Sequence, residues 1–368
     1  MCQNILYLCG YKKLRKMRPL SKLKVPLLFL LFIEFQIVVS FAAKAQESGE
    51  TRVAFWNFEN FFDPFVDSTR MYNEFTENGS QHWTKSRFYR KRNNMYKAIL
   101  AFSEDEPIAV LGIAEVENAY VLNMLFNQTP LKTHNYRIIH YEGDDKRGID
   151  VAMAYCIDKL QLISTETVKV KNPDNKHYRT RDILYAKFFD RRGDTIHCFV
   201  NHWPSRYGGE RETIKLRALA ANTLKHKVDS LVFLHQTIPK IIIMGDFNDT
   251  PDDPSICEVL SAKSPEKYDE NAVLVNLFTD GRRLGFDGTL KHQYNWQIFD
   301  QIIVSKSLID NDMGLSYKPN SATIVHNDFL FEKDESFGGV KLFRTYVGPK
   351  YFGGYSDHLP VYIDLIFK

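Results

Sequence analysis

Short apolar runs that alternate with amphipathic stretches constrain the fold of this chain more than any other feature. Several runs are apolar on consecutive residues, which is typical of strands buried on both faces. Residues 85–102 and 210–234 carry apolar side chains at helical spacing, and residues 308–355 are irregular and predicted to form long loops. The alternation predicts a layered α/β or α+β domain with helices outside central strands. The predicted strands are 53–56, 108–113, 151–155, 183–188, 196–200, 241–244, 298–304 and 361–366.

Residues 1–45 have the features of a secretory signal peptide. They hold eight basic residues and one acidic residue, an apolar run from Val25 to Ile33, and a final Ala43-Lys44-Ala45. We expect cleavage before Gln46 and export to the periplasm or the medium; a start at Met17 and an uncleaved membrane anchor are alternatives. Glu34 interrupts the apolar run and weighs against the anchor, because a carboxylate is costly inside a bilayer.

The formal charge of +3 comes from this leader. Residues 46–368 hold 40 basic and 44 acidic residues, a formal charge of −4. The net charge is therefore consistent with export and gives no support to a polyanionic partner.

Three of the five cysteines follow the leader, namely Cys156, Cys198 and Cys257. Three cysteines cannot all pair within one chain, although one disulfide is possible. No Cys-x-x-Cys spacing indicates a zinc or redox site. We expect these residues to act as small buried apolar side chains.

Polar side chains follow nearly every predicted strand. Each has a structural interpretation on its own: an asparagine that starts a turn, a carboxylate that pairs with a surface lysine, a helix cap, or a core histidine. Their repetition at strand ends is instead typical of the active site of a layered fold. The clusters are Asn57 to Asn60, Glu115 to Asn118, Asn201-His202, Asp246 with Asn248, Asp300, and Ser356-Asp357-His358.

These residue types together indicate one kind of chemistry. Carboxylates and carboxamides without cysteine are ligands for Mg²⁺, Mn²⁺ or Ca²⁺ rather than zinc. Histidines can donate and accept protons, and Asn and Arg side chains can hold anionic oxygens. The combination favours metal-assisted hydrolysis of a phosphomonoester or phosphodiester. No nucleotide-binding loop, dinucleotide fingerprint or Gly-x-Ser-x-Gly elbow is present.

The order and spacing of these clusters resemble the endonuclease/exonuclease/phosphatase superfamily, to which deoxyribonuclease I belongs. The resemblance extends from Arg52 to the C-terminus and carries Gly-Asp246-Phe-Asn248 and Ser-Asp357-His358. It implies a four-layer α/β sandwich, in which two central, mostly antiparallel sheets lie between outer helices. It also implies a single catalytic domain over residues 46–368.

The resemblance implies roles for the metal-site residues. Glu115 is expected to be the main metal ligand, with Asn57 beside it and Asp357 assisting. Mg²⁺ is the expected cofactor, and Mn²⁺ and Ca²⁺ are alternatives.

It also implies the acid–base residues. His358 is expected to be the catalytic histidine, oriented by Asp300. Asp246 is expected to orient or activate the attacking water, and Asn248 to hold a phosphate oxygen. The implied second acid–base group is His202, whose candidate partner is Asp150.

Three functions remain open at the level of sequence. An exported endonuclease acting on DNA or RNA is preferred, with residues 85–92 either facing a nucleic-acid backbone or forming a solvated helix face. A phosphodiesterase or phosphatase acting on a lipid head group or small phosphate ester is the second. For it, aromatic residues between 329 and 355 could contact a membrane, stack on bases, or simply pack. A non-catalytic binding module is the third; in each case we expect a monomer without an obligate protein partner.

Overall fold

The computed structural model describes residues 50–65, 74–190, 192–311 and 313–368. The predicted leader, residues 1–45, lies outside these ranges. Contacts group Glu50–Lys368 into one compact unit. Within the described ranges, no helix is both long and apolar enough to span a membrane.

Three α-helices and twenty strands follow one another within the described residues. The helices are α1 (Lys85–Ser103), α2 (Ala119–Phe126) and α3 (Glu210–His235). The first ten strands are β1 (Thr51–Phe61), β2 (Val110–Val116), β3 (Tyr136–His140), β4 (Asp150–Cys156), β5 (Leu160–Val168), β6 (Ile183–Asp190), β7 (Thr195–His202), β8 (Lys240–Asp246), β9 (Ala262–Lys263) and β10 (Leu274–Asn276). The remaining strands are β11 (Leu290–His292), β12 (Asn295–Gln297), β13 (Asp300–Ser305), β14 (Leu315–Tyr317), β15 (Thr323–Ile324), β16 (Phe331–Lys333), β17 (Val340–Leu342), β18 (Tyr346–Val347), β19 (Lys350–Tyr351) and β20 (Val361–Phe367).

Most strands form two sheets. Sheet 1 has the order β14-β20-β1-β2-β4-β3, with β15 also paired to β20, and sheet 2 has the order β5-β6-β7-β8-β13-β10-β9. The pairs β1–β2, β7–β8 and β9–β10 are parallel, and the other pairs are antiparallel. The pairs β11–β12, β16–β17 and β18–β19 form separate two-stranded hairpins.

The two sheets pack face to face, with helices on their outer faces. Strands β1, β2 and β4 contact β7 and β8 across the interface, while α1 contacts β1 and α2 contacts β3. Strand β8 shows the alternation that such packing requires: Ile242 and Met244 join the core between the sheets, whereas Ile241 and Ile243 join the core under α3. The predicted four-layer α/β sandwich is confirmed.

Gly112 permits a close approach of the sheets. A Cβ atom at this position would lie 2.5 Å from Met244 Sδ and 2.9 Å from Val200 Cγ2. Such separations are shorter than van der Waals contact distances, so a larger side chain at position 112 of β2 would push sheet 2 away.

Prediction and structure differ in the less periodic parts of the chain. Helix α2 and strands β3 and β5 were not predicted, because these segments are short or exposed on one face. The last predicted internal strand begins at Asp300 rather than at residue 298. Residues 308–355 contain short hairpins and turns rather than only long loops.

The three cysteines are free thiols in the structure. Cys156 and Cys198 are buried, as expected, and burial raises the pKa of the Cys198 thiol. Cys257 is only half-buried, so the expectation of full burial was wrong for this residue.

Candidate active site

Strand register in sheet 2 aligns three of the predicted site residues. His202 at the end of β7 pairs with Asp246 at the end of β8, and Asp246 pairs with Asp300 at the start of β13. Along their strands these residues have the same parity as Val200, Met244 and Ile302, which belong to the core between the sheets. The three side chains therefore lie at one end of the inter-sheet face.

Sheet 1 adds Asn57 and Glu115 through irregular strand ends. The β1–β2 register shifts between Asn57 and Phe61, and the β2–β4 register shifts at Glu115, whose φ is +60°. Bulges of this kind re-aim side chains and are common beside active sites. The backbone N–H of Asn60, itself at φ +54°, donates to Glu115 Oε2 at 2.9 Å.

Asp246 lies at the centre of the site. Its Oδ2 atom accepts a hydrogen bond from Asn57 Nδ2 at 3.0 Å and lies 3.6 Å from His202 Nε2 and 3.7 Å from His358 Nε2. Burial, with the nearby carboxylate of Asp300, raises the pKa of Asp246 to about 7, although His358 acts in the opposite direction. A carboxyl group with this pKa can exchange a proton near neutral pH.

His358 is held by Asp300 and by β1. Its Nδ1 atom lies 2.7 Å from Asp300 Oδ2, and its backbone carbonyl accepts a hydrogen bond from Trp56 Nε1 at 2.9 Å. Ser356 Oγ accepts from the His358 backbone N–H and donates to the carbonyl of Asn57. Burial lowers the pKa of His358, but Asp300 and Asp246 outweigh it and raise the pKa well above its ordinary value.

His202 has the opposite electrostatic environment. Burial, followed by the positive charges of Arg181 and Arg147, lowers the pKa of His202 well below its ordinary value. Arg181 donates to the carbonyl of His202 at 3.2 Å and fixes this end of β7. The site thus holds one neutral imidazole, at His202, and one imidazolium, at His358.

The structure corrects the proposed partner of His202. The carboxylates within 4 Å of its ring, among the described residues, are Glu115 at 3.7 Å and Asp246 at 3.6 Å. Asp150 instead lies 3.4 Å from His140 Nε2. Asp150 is the first residue of β4, and it pairs with Val116 of β2, the residue after Glu115.

Asn248 lies in the turn after β8, with φ +52°. Its backbone N–H donates to Asp246 Oδ1 at 3.0 Å, and its Nδ2 donates to the carbonyl of Trp203 at 3.1 Å. Arg206 donates to its backbone carbonyl at 2.8 Å. An amide has two N–H donors, so the second remains for a ligand oxygen.

Asp357 lies in a second ionic cluster rather than beside Glu115. Its Oδ2 atom accepts from Arg344 at 2.7 Å, and Arg344 also lies 3.4 Å from Glu59 Oε1. Burial raises the pKa of Asp357, but Arg344 and His358 lower it further and leave it below its ordinary value. The carboxylate therefore balances Arg344, and no contact with Glu115 supports the predicted assistance at a metal.

The rest of this cluster was missed by the sequence prediction. Glu59 is buried and accepts from the backbone N–H groups of Thr345 at 2.6 Å and Tyr346 at 3.2 Å, while Lys91 Nζ lies 3.8 Å from its carboxylate. Burial is the main cause that lowers the pKa of Lys91, to about 8. Glu59 lies in the strand-end cluster that begins with Asn57, so a signal was present. Lys91 belongs to the basic run 85–92, which was expected to face a nucleic-acid backbone or solvent, and its burial contradicts both expectations for this residue.

Three basic residues of α1 contact other parts of the protein, whereas Lys85 and Lys97 are exposed. Arg87 stacks on Tyr351 at 4.4 Å, Arg90 donates to the carbonyl of Gly353 at 3.1 Å, and Lys91 is buried. Most aromatic residues of the 329–355 segment also pack in the structure, for example Phe331 against Phe286.

The site offers hard oxygen donors for a cation. Asp246, Asp300 and His358 place possible ligand atoms within 4.8 Å of one another, which is the one such group found in the described residues. Glu115 faces the same centre through His202. Asp300 Oδ1 is buried, and within the described part of the chain no hydrogen bond reaches it. Because buried carboxylates crowd one another here, the donor set fits a divalent cation.

Two central sheets with carboxylates, amides and histidines at one end define a phosphate-ester hydrolase of the layered α/β type. Residues 52–366 match the Endonuclease/Exonuclease/phosphatase family, and the chain belongs to this family. Members of the family hydrolyse phosphate esters and generally depend on a divalent metal.

Solved structures with this fold are similar over nearly the whole described chain. One is an endonuclease/exonuclease/phosphatase family protein from Bacteroides thetaiotaomicron, with a TM-score of 0.55 and 16% identity over 88% of this chain and 99% of the other. The mannosyl-6-phosphatase of Bacteroides thetaiotaomicron has a TM-score of 0.55 and 18% identity over 86% and 100%. The human Nocturnin catalytic domain, with bound sulfate, has a TM-score of 0.50 and 13% identity over 87% and 95%. A search of curated protein sequences found no match.

Proposed function

We propose that this chain is an exported, divalent-metal-dependent phosphodiesterase that cleaves DNA or RNA endonucleolytically. One observation supports this most strongly: His202 and His358, whose pKa values shift in opposite directions, both face the same oxygen of Asp246. Hydrolysis of a diester requires a base for the water and an acid for the leaving oxygen, and this trio supplies both.

The proposed reaction uses Asp246 as the base. With a pKa of about 7 it can take a proton from a water aligned with the phosphorus atom. Asn57 and the backbone N–H of Asn248 hold the carboxylate in one orientation, and the neutral His202 forms the adjacent wall.

His358 is the proposed acid. As the new bond from water oxygen to phosphorus forms and the bond to the leaving oxygen breaks, the imidazolium gives its Nε2 proton to the leaving oxygen. Asp300 keeps the ring charged beforehand and compensates its charge. The free N–H of Asn248 binds a non-bridging oxygen of the phosphate.

The metal is assigned to Glu115, with Asn57 beside it. A bound Mg²⁺ would neutralise negative charge on the phosphate oxygens. His358 is a poor ligand while protonated, because its Nε2 lone pair is then occupied. This favours Glu115 over the Asp246, Asp300 and His358 group as the principal anchor of the cation.

A small phosphate ester is the second candidate substrate. Arg87 and Arg90 of α1 are engaged in internal contacts, and residues 46–368 carry a formal charge of −4, so neither observation supports a track for a polyanion. A mannosyl-6-phosphatase is among the proteins with the same fold.

A substrate panel with and without EDTA tests the proposal. The panel contains plasmid DNA, single-stranded RNA, sphingomyelin and mannose 6-phosphate. We expect nicking of DNA or cleavage of RNA that EDTA abolishes and added Mg²⁺ restores. His358→Gln should be inactive, and His226→Gln, at an exposed histidine of α3, should be fully active. Hydrolysis of the sugar phosphate or lipid alone would replace the nuclease assignment, and no hydrolysis would favour a binding module.

Export is proposed from residues 1–45 alone. Expression of the full chain in a Gram-negative host followed by fractionation should give a periplasmic or secreted protein that begins at Gln46. A protein that stays in the membrane fraction with its leader would instead support an anchor.

A further inference from the structure

A cleft next to the catalytic centre lies between two of the separate hairpins. It has a volume of about 250 Å³ and lies where β11–β12 packs on β16–β17. We call it the hairpin cleft; its lining includes Leu290, Lys291, Phe337, Lys341, Arg344 and Asp357.

The hairpin cleft opens onto the catalytic residues through Asp357 and Arg344. Asp357 directly precedes His358 in sequence, and its carboxylate holds Arg344 at 2.7 Å. The negative charge of Asp357 is the main cause that raises the pKa of the Arg344 guanidinium, and the charge of Glu115 adds a smaller effect. The hairpin cleft is therefore bordered by the loop that carries His358.

Two aromatic rings at the cleft are unusually exposed. Phe337, which lines the cleft, is 50% exposed, and Tyr294 of the facing hairpin is 67% exposed. Their ring centroids are 6.3 Å apart at an interplanar angle of 64°. Most other aromatic residues of this region are more buried, so an exposed pair beside an active site indicates a surface for a ring-shaped ligand.

The turn that carries Phe337 is held rigidly. Asp334 Oδ1 accepts from the backbone N–H groups of Ser336 at 3.1 Å and Phe337 at 3.0 Å. Lys291 donates to Asp334 Oδ2 at 2.7 Å and to the carbonyls of Gly338 and Val340. The exposed ring is therefore presented on a preorganised support, which reduces the entropy lost when a ligand stacks on it.

The charge of the lining suits a phosphate-bearing ligand. Lys291, Lys341 and Arg344 contribute three positive charges, and Asp334 and Asp357 contribute two negative charges. Lys291 pairs with Asp334, and Arg344 pairs with Asp357. Lys341 lies 3.4 Å from Glu332 with 37% of its side chain exposed, so it remains accessible to a strand that passes the rim.

We propose that the hairpin cleft binds the nucleoside flanking the scissile phosphate, with its base stacked on the face of Phe337 and bordered by Tyr294. This inference rests on the proposed nuclease function. Phe337 and Tyr294 would favour a nucleic-acid strand over a phosphate ester that has no aromatic ring next to its phosphate. Neither residue takes part in a catalytic step.

The test compares two proteins on three substrates. The substrates are a dinucleoside monophosphate, which contains one phosphodiester, and its two abasic analogues, each lacking one base. For the wild-type protein, kcat/KM should fall about tenfold for one abasic analogue, the order expected for one base–aromatic stack. For Phe337→Ala that loss should disappear, because the variant already cleaves the intact substrate about tenfold more slowly.

Two variants separate stacking from structural damage. Phe337→Trp should retain the discrimination, and Phe233→Ala, which truncates a 74% exposed ring at the far end of α3, should behave as wild type. Equal cleavage of intact and abasic substrates by wild type, or unchanged discrimination by Phe337→Ala, would overturn the assignment. If wild-type protein hydrolyses other phosphate esters but cleaves neither plasmid DNA, RNA nor the dinucleoside monophosphate, the nuclease function fails and the assignment falls with it.

Discussion

His358 Nδ1 and Asp300 Oδ2 lie 2.7 Å apart, in a contact that joins the C-terminal loop before β20 to the first residue of β13. Both side chains are buried, and the second oxygen of Asp300 is without a hydrogen bond in the described part of the chain. The pair fixes which nitrogen of His358 faces Asp246 and keeps the ring protonated.

Asp300→Asn should remove this effect. The neutral amide cannot balance the positive charge of the imidazolium, so the pKa of His358 should fall. We expect kcat to decrease by about 10²- to 10⁴-fold, the usual contribution of a general acid. NMR titration of the imidazole and steady-state kinetics measure the two quantities. Asp229→Asn, at a surface position of α3, is the control. An unchanged His358 titration would show that Asp300 does not set its charge.

Glu115→Gln should weaken Mg²⁺ binding and reduce activity by on the order of 10²-fold or more. Glutamine can still accept the hydrogen bond from Asn60 N–H, so the unfolding temperature should stay near that of wild type. Isothermal titration with Mg²⁺ and assays over a range of Mg²⁺ concentrations provide the measurement. Glu142→Gln, in a nearby exposed loop, should match wild type; equal Mg²⁺ affinity in both variants would remove Glu115 as the ligand.

The metal-free protein should lose stability as pH rises from about 6.5 to 8, below the range in which Lys91, whose pKa is lowered to about 8, acts in the opposite direction. The pKa of His358 is raised in the folded state, so its stabilising effect is complete below about 6.5 and is lost as pH increases through the folded value. Asp246 acts in the same direction between about 4 and its pKa of about 7. His202 is neutral in both states above pH 7 and contributes little.

Thermal unfolding in EDTA over this range measures the effect. His358→Gln should give a flatter profile above pH 7, because the titrating group has been removed. A wild-type profile that rises with pH, or one identical to that of the variant, would contradict the assigned charge of His358.

Lys91→Met should destabilise the protein by about 3–5 kcal/mol, since it removes the fully buried one of the two cations, Lys91 and Arg344, that lie beside the buried Glu59 carboxylate. Lys91→Met combined with Glu59→Gln should cost less than the sum of the two single changes, by about 0.5–3 kcal/mol. Urea denaturation measures these free energies. Lys225→Met breaks an exposed pair with Asp229 and should cost at most about 0.5 kcal/mol. Additive costs at Lys91 and Glu59 would mean that the pair does not interact.

Local periodicity explains how much of the fold could be predicted. Helices α1 and α3 begin at the predicted residues and end one residue beyond the predicted ends, because the apolar spacing and the Thr84 cap of α1 are local features. Helix α2 was missed because its eight residues are too few to establish a period. The hairpins after Leu308 depend on contacts such as that of Lys291 with Asp334, which no local pattern reveals.

Pairings within the site show the limit of sequence reasoning. His202 was matched with Asp150, whereas the structure places Glu115 and Asp246 against it. Asp357, next to His358 in sequence, faces Arg344 instead of the proposed metal ligand. Each of these choices depends on the register of a sheet or the direction of a loop, and a shift of one residue along a strand reverses the face of every side chain.

The sequence by itself determined the layered architecture, the family and the set of polar strand ends, because these follow from residue types and spacing along the chain. Tertiary structure alone decided which of the two histidines is charged. His202 and His358 are both buried and both lie near Asp246, but burial and the charges of Arg181 and Arg147 lower the pKa of His202, whereas Asp300 and Asp246 outweigh burial at His358 and raise its pKa. A pKa responds to burial and to charges a few ångströms away in space. The residues that carry these charges can lie far apart in sequence: Asp246 and His358 are separated by 112 residues.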